Sequence, residues 1–256
     1  MQVPVQLHYS KHYFNPKLIM KSFFTILLLM GFFACSNSKT DSETVMGKKI
    51  RPLKYLALGD SYTIGEGVPE EDRYPNQMVA KYNAASEINF APPTFIAKTG
   101  WTVAELEEGV RKTKKLAPPY DLVTLLIGVN NQYREKPVDE FKIEFRKILL
   151  QAIGLAGNLP NHVIVLSIPD WGVTPFAVEK GSDQPKVAVE IDSFNKAKKE
   201  ICNQYGVYFI EITDHYRTIG AQPDMVVSDK HHPSGLIYKI WADKLYDQVK
   251  TLTLNP

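Results

Sequence analysis

Four short stretches of this chain carry side chains that could do chemistry together. Gly59-Asp60-Ser61-Tyr62 offers a hydroxyl, Lys98-Thr99-Gly100-Trp101 a glycine amide, and Gly128-Val129-Asn130-Asn131 a carboxamide. Ser228-Asp229-Lys230-His231-His232-Pro233-Ser234 offers a carboxylate close to two adjacent imidazoles. A serine hydroxyl is a weak nucleophile until a base takes its proton. The tetrahedral intermediate it then forms needs hydrogen-bond donors for its oxyanion. An imidazole serves as base near neutral pH, and a carboxylate on its second nitrogen orients it. Nucleophile, oxyanion donors, base and orienter are the parts of an acyl-transfer site. Three of the stretches are weak alone: Gly-Asp-Ser also makes a polar turn, Gly100 also enters a helix, and Asn130 also caps a loop; Asp-x-x-His-Pro before a capped helix is more specific.

The elements that must position these residues are readable from hydrophobic periodicity. Residues 54–59, 94–98, 122–128, 162–169 and 207–212 read as five strands, the third almost continuously apolar as a central parallel strand should be. Residues 73–84 and 188–205 read as helices. Thr102 with Glu105 forms a capping box that opens another, with Glu107/Arg111 and Glu108/Lys112 pairs four residues apart. Val138, Phe141, Phe145, Ile148, Leu149 and Ala152 recur at helical spacing, and a last helix spans about 235–249. Residues 170–187 read as a loop. Strands alternating with helices predict an α/β fold, doubly wound and flavodoxin-like, a three-layer sandwich around a five-stranded parallel sheet. In such a sheet the site lies beyond the carboxyl ends of the strands, so the stretches above share one rim.

In this order and at these strand ends, the four stretches resemble the SGNH (GDSL-type) hydrolases, from Tyr55 to Val249. The resemblance implies a serine esterase. Ser61 would be the nucleophile and His232 the base, with Asp229 orienting it from three residues earlier. The Ser61 amide, the Gly100 amide and the Asn130 side chain would form the oxyanion hole. Asn131 departs from the family, many members of which carry Asp there; the oxyanion Asn is untouched. His231 competes with His232 for the base and reads as its solvated neighbour. No cofactor and no metal site is expected: adjacent His231 and His232 would point apart, with no further ligand cluster. An α/β-hydrolase elbow would need a second glycine at Thr63. A phosphate loop fails because no Lys-Ser/Thr follows Gly65-Glu66-Gly67.

Residues 23–33, FFTILLLMGFF, form an apolar run too short to span a bilayer but of signal-peptide length. Ala34-Cys35 follows, then a polar stretch, an arrangement that resembles the lipobox of bacterial lipoproteins. It implies cleavage before Cys35, lipidation of Cys35, membrane attachment and a location in the cell envelope outside the cytoplasm. Met20-Lys21 would start a compact signal, so Met20 reads as the true start. The expected organisation is a signal at 1–34, a lipidated Cys and tether at 35–50, and a hydrolase domain at 51–256. Residues 1–34 carry three lysines and no acid, so their removal moves the formal charge from +2 to −1. That balance excludes an electrostatically driven nucleic-acid binder. With Cys35 lipidated, Cys202 has no internal partner and reads as a small buried hydrophobe.

Tyr62, Trp101, Gln132, Tyr133, Trp171 and Phe176 are the candidate pocket wall. No insertion suggests a deep acyl tunnel, which favours a short-chain or carbohydrate acyl ester. A lysophospholipase or thioesterase, or an inactive envelope-binding lipoprotein, are the alternatives. A monomer is expected.

Overall fold

A computed structural model describes residues 51–254. The signal segment, Cys35 and the tether lie outside the described residues. Five strands, β1 (Tyr55–Gly59), β2 (Thr94–Ala97), β3 (Leu122–Leu126), β4 (Val163–Leu166) and β5 (Tyr208–Ile210), form one parallel sheet in the order β2-β1-β3-β4-β5. Each was expected from its apolar run, though β5 is only three residues long. Strands β1, β3 and β4 are buried along their whole length, as their unbroken apolar sequences require when helices cover both faces.

The helices are α1 (Ser61–Ile64), α2 (Tyr74–Ala85), α3 (Val103–Lys112), α4 (Val129–Tyr133), α5 (Val138–Leu155), α6 (Pro175–Glu179), α7 (Gln184–Tyr205), α8 (Thr213–Ile219) and α9 (Gly235–Val249). Helix α2 packs on α9, and α5 packs on α3 and α7. Helix α9 buries Ile237, Tyr238, Trp241, Ala242, Leu245 and Val249 at helical spacing. Ile237, Leu245 and Val249 each contribute about 1.5–3 kcal/mol when fully buried. The Thr102–Glu105 capping box of α3 is present, with both reciprocal bonds formed. The expected Glu108–Lys112 pair forms at 2.9 Å, but Arg111 turns to Glu108 as well, and Glu107 instead accepts from Gln151.

The expected loop 170–187 is structured. It holds α6 and the first turn of α7, which starts at Gln184 because the Asp183 side chain caps it, accepting from the Lys186 amide, and Pro185 stands in its first turn. Helix α8 was not expected; at seven residues it is too short to show a period.

The strand order reverses between β1 and β3, and the crevice at their carboxyl ends is where this topology binds ligands. Beneath it lies a buried lysine. Lys198 of α7 is wholly buried and donates to the Ile127 and Leu166 carbonyls at 3.0 and 2.8 Å, tying the ends of β3 and β4 together. Burial pushes its pKa down to about 7 and that of buried Asp60 up to about 7. Cys202 is also wholly buried, and its thiol is pushed up to about 12 by burial, as suits an inert core residue.

Candidate active site

Ser61 is the first residue of α1, immediately beyond β1. The turn is sharp because Gly59 allows it. A Cβ at Gly59 would stand 2.0 Å from Thr63 Oγ1 and 2.3 Å from the Leu126 carbonyl. Asp60 caps the helix through Oδ1, which accepts from the Tyr62 amide at 3.0 Å. The Ser61 amide at this helix start donates to no acceptor among the described residues, and its hydroxyl is equally unpartnered. Both groups are therefore available to a substrate carbonyl.

Gly100 follows β2 with φ of +82°, a conformation that disfavours any side chain. Its carbonyl is held by the Arg134 guanidinium at 2.5 Å, and its amide has no acceptor among the described residues. Asn130, in the first turn of α4, donates one Nδ2 hydrogen to the Trp101 carbonyl at 3.0 Å. A carboxamide has a second N–H, and Asn130 lines the cavity described below. Asn131, the departure from the family pattern, has a structural job. Wholly buried, it accepts from the Val103 amide and donates to Glu144, both at 2.9 Å, and so locks the start of α3 to α4 and α5.

His232 Nδ1 and Asp229 Oδ2 are hydrogen-bonded at 2.6 Å. Asp229 Oδ1 accepts the backbone amides of His231 and His232 at 2.8 and 2.9 Å, so one carboxylate shapes the loop and orients the ring. Burial opposes ionisation of Asp229, but the His232 side chain and these two amides outweigh it and hold its pKa below the usual carboxylate value. Ser234 does not cap α9; its hydroxyl donates to the Asp224 carbonyl at 2.7 Å.

Ser61, Gly100, Asn130 and His232 line a single cavity of about 220 Å³, with Thr99 and Val129 completing its floor. Of the expected wall, Tyr62, Tyr133, Trp171 and Phe176 are present. Trp101 and Gln132 are not. The Trp101 ring lies over Gly109 of α3, where the missing side chain leaves room for it, in a groove with Glu105 and Glu108. Gln132 is buried behind the wall. It accepts from Trp171 Nε1 at 2.8 Å and donates to Glu190 at 2.7 Å, fixing the indole rather than meeting a substrate.

His231 is not the solvated neighbour that its sequence suggested. Its ring lines the cavity, 4.6 Å from both Phe176 and His232 between centroids. Its Nδ1 is buried without a partner among the described residues. Burial, with His232 next and Lys180 adding, lowers its pKa to about 4, so this imidazole is neutral at pH 7. Its own sequence carried no signal for this, because the aromatic partners come from elsewhere in the chain.

Residues 57–240 match the model of the GDSL-like Lipase/Acylhydrolase family. YpmR of Bacillus subtilis (strain 168), described as an uncharacterized protein, is 20% identical over 239 residues, which cover 87% of this chain and 93% of that one. The acetylxylan esterase Axe2 from Geobacillus stearothermophilus superposes with a TM-score of 0.61 at 18% identity, over 78% of this chain and 95% of that structure. A lipase/acylhydrolase from Enterococcus faecalis gives a TM-score of 0.60 at 18% identity, over 78% and 96%. The esterase EstA from Pseudoalteromonas sp. gives 0.55 at 16%, over 77% and 97%. These structures share the fold, and the family match, laid on the strand-end residues above, makes this chain a member of the GDSL-like lipase/acylhydrolase family, the SGNH hydrolases, and a hydrolase acting on ester bonds.

Proposed function

We propose that the protein is a serine esterase of short-chain or carbohydrate acyl esters. The observation that carries this reading is the 2.6 Å Asp229–His232 bond on the same cavity as the unpartnered Ser61 hydroxyl and amide. His232 takes the Ser61 proton as Oγ attacks the ester carbon. The Ser61 and Gly100 amides and the free Asn130 N–H receive the oxyanion. His232 then passes the proton to the departing alkoxide, leaving an acyl-serine. A water attacks this acyl group with His232 again as base, releasing the acid and restoring Ser61. Asp229 stabilises the imidazolium formed in each half and does not itself become protonated.

The small cavity supports a short acyl group, and the aromatic wall suits an alcohol with a flat apolar face such as a sugar ring. Turnover of p-nitrophenyl esters from acetyl to dodecanoyl, with acetylated oligosaccharides alongside, tests this. Activity should peak at two to four carbons; a peak at eight or more would replace it with lipid acyl hydrolysis.

We also propose that Cys35 carries a lipid that holds the domain on the envelope outside the cytoplasm. The support is the apolar run 23–33 ending at Ala34-Cys35. Two or more acyl chains anchor a protein that a short apolar segment cannot. Labelled fatty acid should enter the protein and be absent from Cys35→Ala; equal label in both would remove the anchor.

A further inference from the structure

The base stands at one end of an unbroken aromatic wall. The His232 ring is 4.6 Å from His231, which is 4.6 Å from Phe176; Phe176 is 6.3 Å from Trp171, and Trp171 is 5.2 Å from Tyr133. Under the proposed mechanism the departing alkoxide takes its proton from His232. The leaving oxygen of a bound ester is therefore placed beside His232, where this wall begins.

One charge stands over the far end of that wall. The Lys180 ammonium, just beyond α6, is 4.1 Å from the Tyr133 ring centroid, 5.8 Å from Phe176 and 5.9 Å from Trp171. It also donates to the Tyr133 hydroxyl. Three rings and a hydroxyl restrain an otherwise flexible side chain, which lowers the entropy lost when it binds a ligand. Among the described residues no carboxylate pairs with Lys180, although Lys230 nearby is paired with Glu179 and Arg134 with Glu105. Its field reaches the cavity, since it helps to disfavour protonation of His231. A cavity of about 220 Å³ holds a short acyl ester and the first part of its alcohol. Lys180 does not itself line the cavity; it contacts Tyr133, Trp171 and Phe176, which do, so an anionic substituent that reaches past these rings meets it.

We propose that Lys180, held over Tyr133, Trp171 and Phe176, is an anion subsite, and that the substrates are short acyl esters whose alcohol bears a carboxylate or phosphate. The proposal rests on the serine-esterase reading and narrows its substrate class. Neutral His231 adds no charge; Arg134 on the Gly100 carbonyl and Glu66 on Thr99 also stand against lining residues, so the Lys180 variants isolate the contribution of Lys180. Lys180 is exposed and its replacement disturbs no core packing.

The test uses three aryl acetates of similar shape that differ in leaving-group charge: 4-acetoxybenzenesulfonate, 4-acetoxybenzenesulfonamide and 4-acetoxyphenyltrimethylammonium. Wild-type kcat/KM should rank anion above neutral above cation. The anion-to-neutral ratio should be about fivefold at low salt, as an exposed ion pair allows, and fall toward one in about 0.5 M salt. Lys180→Met should abolish the ratio, Lys180→Glu should reverse it, and Lys180→Arg should restore it. A ratio that survives Lys180→Met overturns the subsite. Competition by O-acetyllactate and by acetyl glycerol phosphate separates carboxylate from phosphate; inhibition by neither also overturns it. Ser61→Ala keeps the two readings apart. If Ser61→Ala still cleaves all three acetates, the mechanism fails; if cleavage needs Ser61 but ignores charge, only the subsite fails.

Discussion

The cavity has two sides built on different principles. On the strand-end side, the Ser61 turn and His232 are held by close sequence neighbours, although Gly100 and Asn130 are tied across 34 and 29 residues. Asp60 holds the turn at Ser61 through Tyr62, and Asp229 holds His232 from three residues away. On the aromatic side, the contacts that fix the Trp171 indole and the Lys180 ammonium are long-range. Trp171 is fixed by Gln132 at 39 residues' separation, and Lys180 meets Tyr133 across 47. The difference teaches where chemistry and selectivity are stored. The proposed nucleophile and base sit in short local cassettes, whereas the aromatic wall exists only after helices α4, α6 and α7 have packed.

If that division holds, damage to the first side should lower kcat, and damage to the second should raise KM or alter stability. The largest effect is expected from Ser61→Ala and His232→Ala, each costing about 10³-fold or more in kcat on an activated acetate. Asp229→Asn should cost less, because the other groups of the unit remain. Circular dichroism should show all three folded. Equal and small losses at Ser61 and His232 would dissolve the distinction at once.

Next in size is Gln132→Leu. It strands the Trp171 indole N–H in a buried site, an unpaired donor that costs about 1–3 kcal/mol. Urea unfolding should show the loss, and KM should rise more than kcat falls. A kcat collapse with KM unchanged would mean that the wall serves the chemistry directly.

Two smaller effects depend on pH. Asp229 has a lowered folded pKa, so its contribution to stability is present above the unfolded carboxylate value, near 4. It is lost as pH falls through the lower folded value. The stability gap between wild type and Asp229→Asn should therefore be open at pH 7 and close in acid. His231 acts in the same sense, at higher pH. Its folded pKa of about 4 lies below the unfolded imidazole value of 6.5, so only the unfolded chain binds its proton between those values. Wild type should lose stability from pH 6.5 to 4 relative to His231→Phe, which keeps the ring but cannot titrate. Parallel melting curves for the two across that range would show that His231 is not sealed against the wall.

The amino-acid sequence by itself determined the sheet, the long helices and the strand-end polar residues. Strands β1, β3 and β4 announce themselves because residues buried on both faces leave continuous apolar runs. The long helix α5 does so because one buried stripe repeats at 3.6 residues. Asp229 and His232 were readable as a pair because their bond closes within one turn of chain. The short helices α6 and α8 were not, since five or seven residues hold too little period to detect. Trp101 and Gln132 sit in the right stretches but face the wrong way, and His231 faces inward where exposure was expected. Only the tertiary structure decided these three. A side chain's direction depends on the space its neighbours leave: Gly109 opens a place for the Trp101 ring, Trp171 and Glu190 engage Gln132 from both ends, and Phe176 closes over His231. Those neighbours are brought together by packing, and nothing in the local order of residues encodes the meeting.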